Sequence, residues 1–207
     1  VNRIQFYAGL LVTILAVLAF VDIGGDWTQD GWAELELWLA HPVLQLRSPG
    51  LTTFMKGLTA LGSFPVLTVV VAVALAQPTA RLGGRDKAVL LGLSVVQGLI
   101  NGFLKSWFSR PRPDQDYSPL VEEHYFSFPS GHSMSSLCIY GFLAYLWVRR
   151  RPQRAGRSIA LTTLVVLSIG ITRVYLSAHY PGDVVGGFAA GWPCLFGAMC
   201  LHAGLKK

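Results

Sequence analysis

Charge is scarce in this sequence. Asp, Glu, Lys and Arg make up 14% of the 207 residues, against 52% hydrophobic residues, and the mean hydropathy is +0.47. An ordinary soluble domain carries roughly 25% charged residues, so that class is excluded. Cysteine is sparse too. Cys138, Cys194 and Cys200 all fall inside apolar runs, where they act as small fillers and imply no disulfide framework. No Cys/His spacing resembles a zinc site, and no carboxylate cluster suits a divalent cation. Chemistry without metal or cofactor is the expectation.

What the chain does have is long apolar runs. Six can be drawn, at Ile4 to Ile23, Gly57 to Ala76, Ala88 to Phe108, Gly131 to Val148, Ser158 to Ala178 and Asp183 to Leu205. A run of about 20 apolar residues crosses a hydrocarbon core as a helix, because only a helix satisfies its own backbone polar groups there. The expected fold is all-α, a single domain over residues 1–207 built as an integral membrane bundle of six transmembrane helices. Arg3 before the first run resembles a secretory signal. The run is long for one and lacks a convincing small-residue cleavage site, so it reads as retained.

Basic residues concentrate in cytoplasmic loops of membrane proteins. With the N-terminus inside, the inner segments hold Arg3, then Arg81, Arg85 and Lys87, then Arg149, Arg150, Arg151, Arg154 and Arg157, then Lys206 and Lys207. Asp86 is the one acidic residue on that side. Both termini are therefore expected in the cytoplasm and the protein in the cytoplasmic membrane. The run RRRPQRAGR needs no nucleic-acid partner, since a stop between two spans and attraction to anionic lipid explain it. The long outer connection Gly24 to Gly50 carries Trp32, Leu35 and Leu39 at helical spacing, broken by Glu34 and Glu36. It reads as an interfacial amphipathic segment, and its part from Trp27 to Leu46 is expected to shape a lateral entrance for substrate.

Ionisable groups near membrane spans are costly, so each needs a function or a partner. Lys105, Arg112, His132, Arg173, His179 and Asp183 all map to the outer side. Three cations gathered there repel one another unless an anion sits between them, and phosphate is the natural anion. Ser130, at the start of the fourth run, supplies a hydroxyl donor, and the free N–H groups of that helix start, Gly131 included, supply more. His179 and Asp183 are four residues apart with Pro181 in the first helical turn, so the carboxylate can curl back to the imidazole and fix its tautomer. His179 is then the candidate nucleophile, and His132 the acid that protonates the leaving oxygen.

These residues also carry a resemblance. KSWFSRPRP, from Lys105 to Pro113, matches the K-x6-R-P motif of the type 2 phosphatidic acid phosphatase family. Pro129 to His132 matches its P-S-G-H motif, and TRVYLSAHYPGD, from Thr172 to Asp183, matches S-R-x5-H-x3-D with Thr172 in place of Ser. The chain is similar to that family over nearly its whole length. The resemblance implies Lys105, Arg112, Ser130, Gly131 and Arg173 as phosphate ligands, His132 as acid, and His179 as nucleophile with Asp183 behind it. It implies hydrolysis of a lipid phosphate or diphosphate through a phosphohistidine at the outer membrane face. Phosphatidic acid, phosphatidylglycerophosphate, undecaprenyl diphosphate and lipid A phosphates all fit.

Three other readings rank lower. A vanadate-dependent haloperoxidase shares the constellation but is soluble. A membrane serine hydrolase using Ser130 leaves three cations unexplained, and a non-catalytic lipid-phosphate binder or transporter does not need both histidines and Asp183. Plainer readings suffice elsewhere: Arg110 pairs with Asp114 or Asp116, His124, Glu122 and Glu123 form a solvated loop, and Arg47 and Lys56 snorkel. Gly182, Gly186, Gly187 and Gly191 let helices pack closely.

Overall fold

The computed structural model describes residues 3–26, 30–79, 81–113 and 117–204. Trp27, Asp114, Asp116, Leu205, Lys206 and Lys207 lie outside them. Within the described residues there are eight α-helices and no strand: α1 Arg3–Asp26, α2 Asp30–Leu44, α3 Pro49–Ala60, α4 Phe64–Ala76, α5 Gly84–Phe108, α6 Gly131–Arg150, α7 Ala155–Tyr175 and α8 Pro181–Gly204. The protein is thus all-α, as the apolar runs imply.

Of these helices α1, α5, α7 with its preceding turn, and α8 are long and apolar enough to cross a membrane. The expected second span is broken. Its residues are divided between α3 and α4, which bend by 44° at a short gap and make a fifth candidate when taken together. Pro65 explains the restart, since it lacks an N–H and suits the first turn of a new helix. The expected fourth span forms as α6 but does not pass the same test of apolarity. His132, Ser133, Ser135 and Ser136 dilute it. Its environment is protein, with Met134, Cys138, Ile139, Phe142 and Leu146 buried.

The lipid-facing nature of the surface shows in what is exposed. Leu11, Leu15, Leu18 and Val21 of α1, Leu99 and Phe103 of α5, and Leu161 and Leu164 of α7 all point outward. A water-soluble protein seldom exposes apolar side chains over so wide an area. Helix α2 makes the point most sharply. Leu35, Trp38 and Leu39 face outward while Glu36 is only 1% exposed, the reverse of a soluble amphipathic helix. Glu36 does not dilute an interfacial face, as the sequence suggested. It is the inward anchor of the helix.

Helix α6 is central and packs against α5, α7 and α8. The α6–α8 contact depends on small residues. A methyl group at Gly187 would sit 2.6 Å from the carbonyl oxygen of Ser130, and one at Gly186 would sit 2.3 Å from the Phe128 ring. Any larger residue would push α8 off the loop that begins α6.

Arg47 also departs from expectation. It does not snorkel into lipid headgroups. Its guanidinium donates to the carbonyls of Tyr175, Tyr117 and Ser118 and to Ser177 Oγ at 2.6 to 3.2 Å. It thereby caps the C-terminal end of α7 and fixes the loop leading to His179. At the opposite end of the bundle, Asp86 of α5 receives Arg150 of α6 at 2.5 Å and His202 of α8 at 2.7 Å. The Arg150 ion pair and the His202 hydrogen bond tie three helices together.

Candidate active site

Three chain segments converge where α5 ends and α6 and α8 begin. Helix α5 stops at Ser109, whose left-handed backbone (φ 48°) turns the chain into the RPRP stretch. Ser130 caps α6, its Oγ accepting from the Ser133 N–H at 3.4 Å. Its own N–H donates to the carbonyl of Asp183 at 2.9 Å, which joins the start of α6 to the start of α8. Asp183 is itself the capping group of α8, with Oδ2 accepting from the Tyr180 N–H at 2.9 Å. Pro181 ahead of it has no N–H to leave unpaired.

The i, i+4 relation of His179 and Asp183 does what their spacing promised. His179 Nδ1 lies 3.3 Å from Asp183 Oδ2. Ser127 Oγ donates to the same Oδ2 and is 3.3 Å from Nδ1. With Nδ1–H turned toward the carboxylate, Nε2 carries the lone pair, and Arg112 NH1 stands 3.4 Å from it. Burial, reinforced by Arg173, Lys105 and Arg112, holds the His179 imidazole well below its ordinary pKa. It is neutral at physiological pH and available as a nucleophile.

The cations surround this dyad, each held by the protein. Arg112 donates from Nε to the Tyr125 carbonyl at 2.5 Å and from NH1 to that of Ala178 at 2.6 Å. Lys105 Nζ reaches the carbonyls of Phe126 at 2.5 Å and Ser127 at 3.1 Å. Arg173 is buried, donating to Thr59 Oγ1 at 3.0 Å and pairing with Glu123. Its Nε is buried with no hydrogen-bond partner among the described residues.

A cavity of about 780 Å³ opens beside the dyad. Lys105, Arg112, Gly131, His132 and His179 line it, while Ser130, Arg173 and Asp183 are not among the lining residues. It then runs along α4, α5 and α6 past Phe64, Leu67, Val71, Leu91, Val95 and Leu99. From Lys105 to Leu91 the rise along α5 is about 20 Å at 1.5 Å per residue. No residue of α2 contributes to this lining. The described part of the segment from Trp27 to Leu46, expected to shape a lateral entrance, thus lines none of this cavity; Glu36 ties α2 to Arg110 and Gly182 behind the dyad instead.

Four further residues belong to the site. Arg110, expected to pair with Asp114 or Asp116, is 3% exposed and pairs with both Asp183 (NH1 to Oδ1, 2.9 Å) and Glu36. Glu36 also accepts from the Gly182 N–H at 3.0 Å. Glu123 is not solvated but bridges Arg173 and, at 3.6 Å, Arg112. Burial raises its pKa, but these two arginines outweigh that and hold it below the ordinary carboxylate value. Ser127 is the fourth. The one available signal was a carboxylate within an apolar stretch, at Glu36 between Leu35 and Leu37.

Comparison with known proteins agrees with this arrangement. Residues 87–207 match the PAP2 superfamily. Phosphatidylglycerophosphatase B of Bacillus subtilis (strain 168) is 36% identical over 156 residues, which cover 74% of this chain and 76% of that protein. Lipid A 1-phosphatase of Rhizobium etli is 35% identical over 121 residues, 54% of this chain and 49% of that protein. The crystal structure of the first transmembrane PAP2 type phosphatidylglycerolphosphate phosphatase from Bacillus subtilis superposes with a TM-score of 0.86. That match covers 94% of this chain and 98% of the other at 29% identity. The chain belongs to the PAP2 superfamily. Within it, this is a transmembrane lipid phosphatase, a hydrolase.

Proposed function

We propose that the protein removes a terminal phosphate from a membrane lipid through a phosphohistidine at His179. The carrying observation is that a neutral, buried His179, oriented by Asp183, faces Arg112 with Lys105 and Arg173 close by. Nε2 attacks phosphorus in line with the leaving oxygen, and the cations with the Gly131 N–H hold the charge on the phosphoryl oxygens. His132, on the same cavity wall, protonates the leaving oxygen and then takes a proton from the water that cleaves the P–N bond. The cations supply the charge that a metal supplies elsewhere, so no divalent metal enters the scheme.

In this reading residues 1–207 act as one domain with six crossings, α3 and α4 forming one and α6 another. The distribution of basic residues supports a site on the outer face and termini in the cytoplasm. The cavity suits a lipid whose phosphate stands at the cations while its tail stays between α4 and α5. Phosphatidylglycerophosphate is the first substrate to test, given the name of the Bacillus subtilis relative. Undecaprenyl diphosphate, phosphatidic acid and lipid A phosphates follow.

Rapid quench with labelled lipid phosphate in excess chelator should trap acid-labile label on His179. Label on Ser130, or strict dependence on added magnesium, would overturn the scheme. Substrate access has its own test. Val71→Trp should fill the deep part of the cavity and slow long-chain lipid phosphates well below a soluble short-chain analogue. Equal rates on both would remove the α4–α5 route.

A further inference from the structure

We propose that Arg110 and Glu36 are positioning residues for the phosphoryl transfer, forming with Asp183 a buried chain of charges that fixes the carboxylate against His179. The inference rests on the reading of His179 and Asp183 as the catalytic dyad and goes beyond the motif residues that define it. Arg110 occupies a variable position inside K-x6-R-P, and Glu36 lies in α2, outside the stretch that matches the superfamily.

The geometry is specific. Asp183 has two oxygens with different partners. Oδ2 faces His179, Ser127 and the Tyr180 N–H, whereas Oδ1 takes Arg110 NH1 at 2.9 Å. Without that bond Oδ1 loses its anchor, and the set of the carboxylate against Nδ1 rests on the contacts of Oδ2 alone. Arg110 is in turn held on both sides. Its two terminal nitrogens meet the two oxygens of Glu36, a forked pairing that a lysine cannot reproduce. Its guanidinium also lies over the Tyr180 ring, 4.1 Å from the centroid. Glu36 closes the loop by accepting the Gly182 N–H at 3.0 Å, one residue before Asp183.

Charge gives the chain a second role. Glu36 and Asp183 are both buried, and two carboxylates near each other in a dry site do not both stay ionised without a cation between them. Arg110 is that cation. Its removal leaves one of the two carboxylates to take up a proton, and a protonated Asp183 no longer stabilises a cationic phosphohistidine.

The test uses the full-length protein in detergent with dioctanoyl phosphatidic acid as probe. Rates are expressed per folded molecule, counted by size exclusion and thermal unfolding. Arg110→Met should lower kcat about a hundredfold with KM nearly unchanged, as expected when a reacting group is misplaced by a change outside the substrate contacts. Arg110→Lys, which restores charge without the fork, should fall between the two. Glu36→Gln keeps the shape and should still lower kcat about tenfold, while Glu34→Gln on the exposed side of the same helix should leave it unchanged. A kcat for Arg110→Met within twofold of wild type, or a loss confined to KM, overturns the proposal. If Arg110→Met does not fold, Glu36→Gln decides, and unchanged kcat there overturns it. Near-normal turnover by Asp183→Asn would instead overturn the dyad on which the proposal stands.

Discussion

Asp183→Asn is expected to lower kcat by about four orders of magnitude while KM stays within a few-fold, as when the orienting carboxylate of a catalytic triad becomes an amide. The change keeps the side-chain volume, and the contact with Ser130 persists because the backbone carbonyl of residue 183 makes it. It replaces one oxygen by a donor at a place where Ser127, Tyr180 and His179 all present hydrogens. The imidazole is then driven to the tautomer with its lone pair on Nδ1, which turns Nε2 into a donor and removes the nucleophile. Steady-state kinetics on a soluble short-chain lipid phosphate provide the measurement. A loss under tenfold would remove Asp183 from the chemistry.

Arg173→Met should have the next largest effect, a fall of about a hundred- to a thousandfold in kcat/KM, the range for loss of one donor to a developing oxyanion. Arg173 satisfies its terminal nitrogens with Thr59 and Glu123, yet its Nε is buried without a partner among the described residues. Burying an N–H with no acceptor is costly, and a phosphate oxygen in the adjoining site relieves that cost. Vanadate mimics the five-coordinate phosphorus, so its inhibition constant should rise in step with the loss of kcat/KM. Unchanged vanadate inhibition in Arg173→Met would show that Arg173 only supports Glu123 and Thr59.

The helices were legible in the sequence because apolarity over about 20 residues is a local property. The His179–Asp183 pairing was legible for a similar reason, since four residues is one helical turn. What escaped depends on distance in the chain. Arg110 and Glu36 are 74 residues apart, and nothing in either neighbourhood names the other. Glu123 looked solvated because Glu122 and His124 beside it are exposed, as they are in the structure. The direction of α2 was misread because its two glutamates look alike in sequence, yet Glu34 is exposed and Glu36 buried. The break between α3 and α4 escaped because the run from Gly57 to Ala76 is apolar throughout, and its 44° angle is set by packing.

The tie at Asp86 has a consequence for how the molecule can breathe. Arg150 and His202 converge on it from α6 and α8, so α5, α6 and α8 are fastened at the end remote from the dyad. Helix α4 is joined at the same end by Lys87 of α5, whose Nζ donates to the carbonyl of Gln77 at 2.6 Å. A bundle clasped at one end is built like a clothes-peg rather than a barrel, its joints lying on the side away from Lys105, Arg112 and His179. The two ends of the bundle thus divide the labour: one keeps the register of the helices with charged side chains, and the other gathers histidines and cations around a cavity.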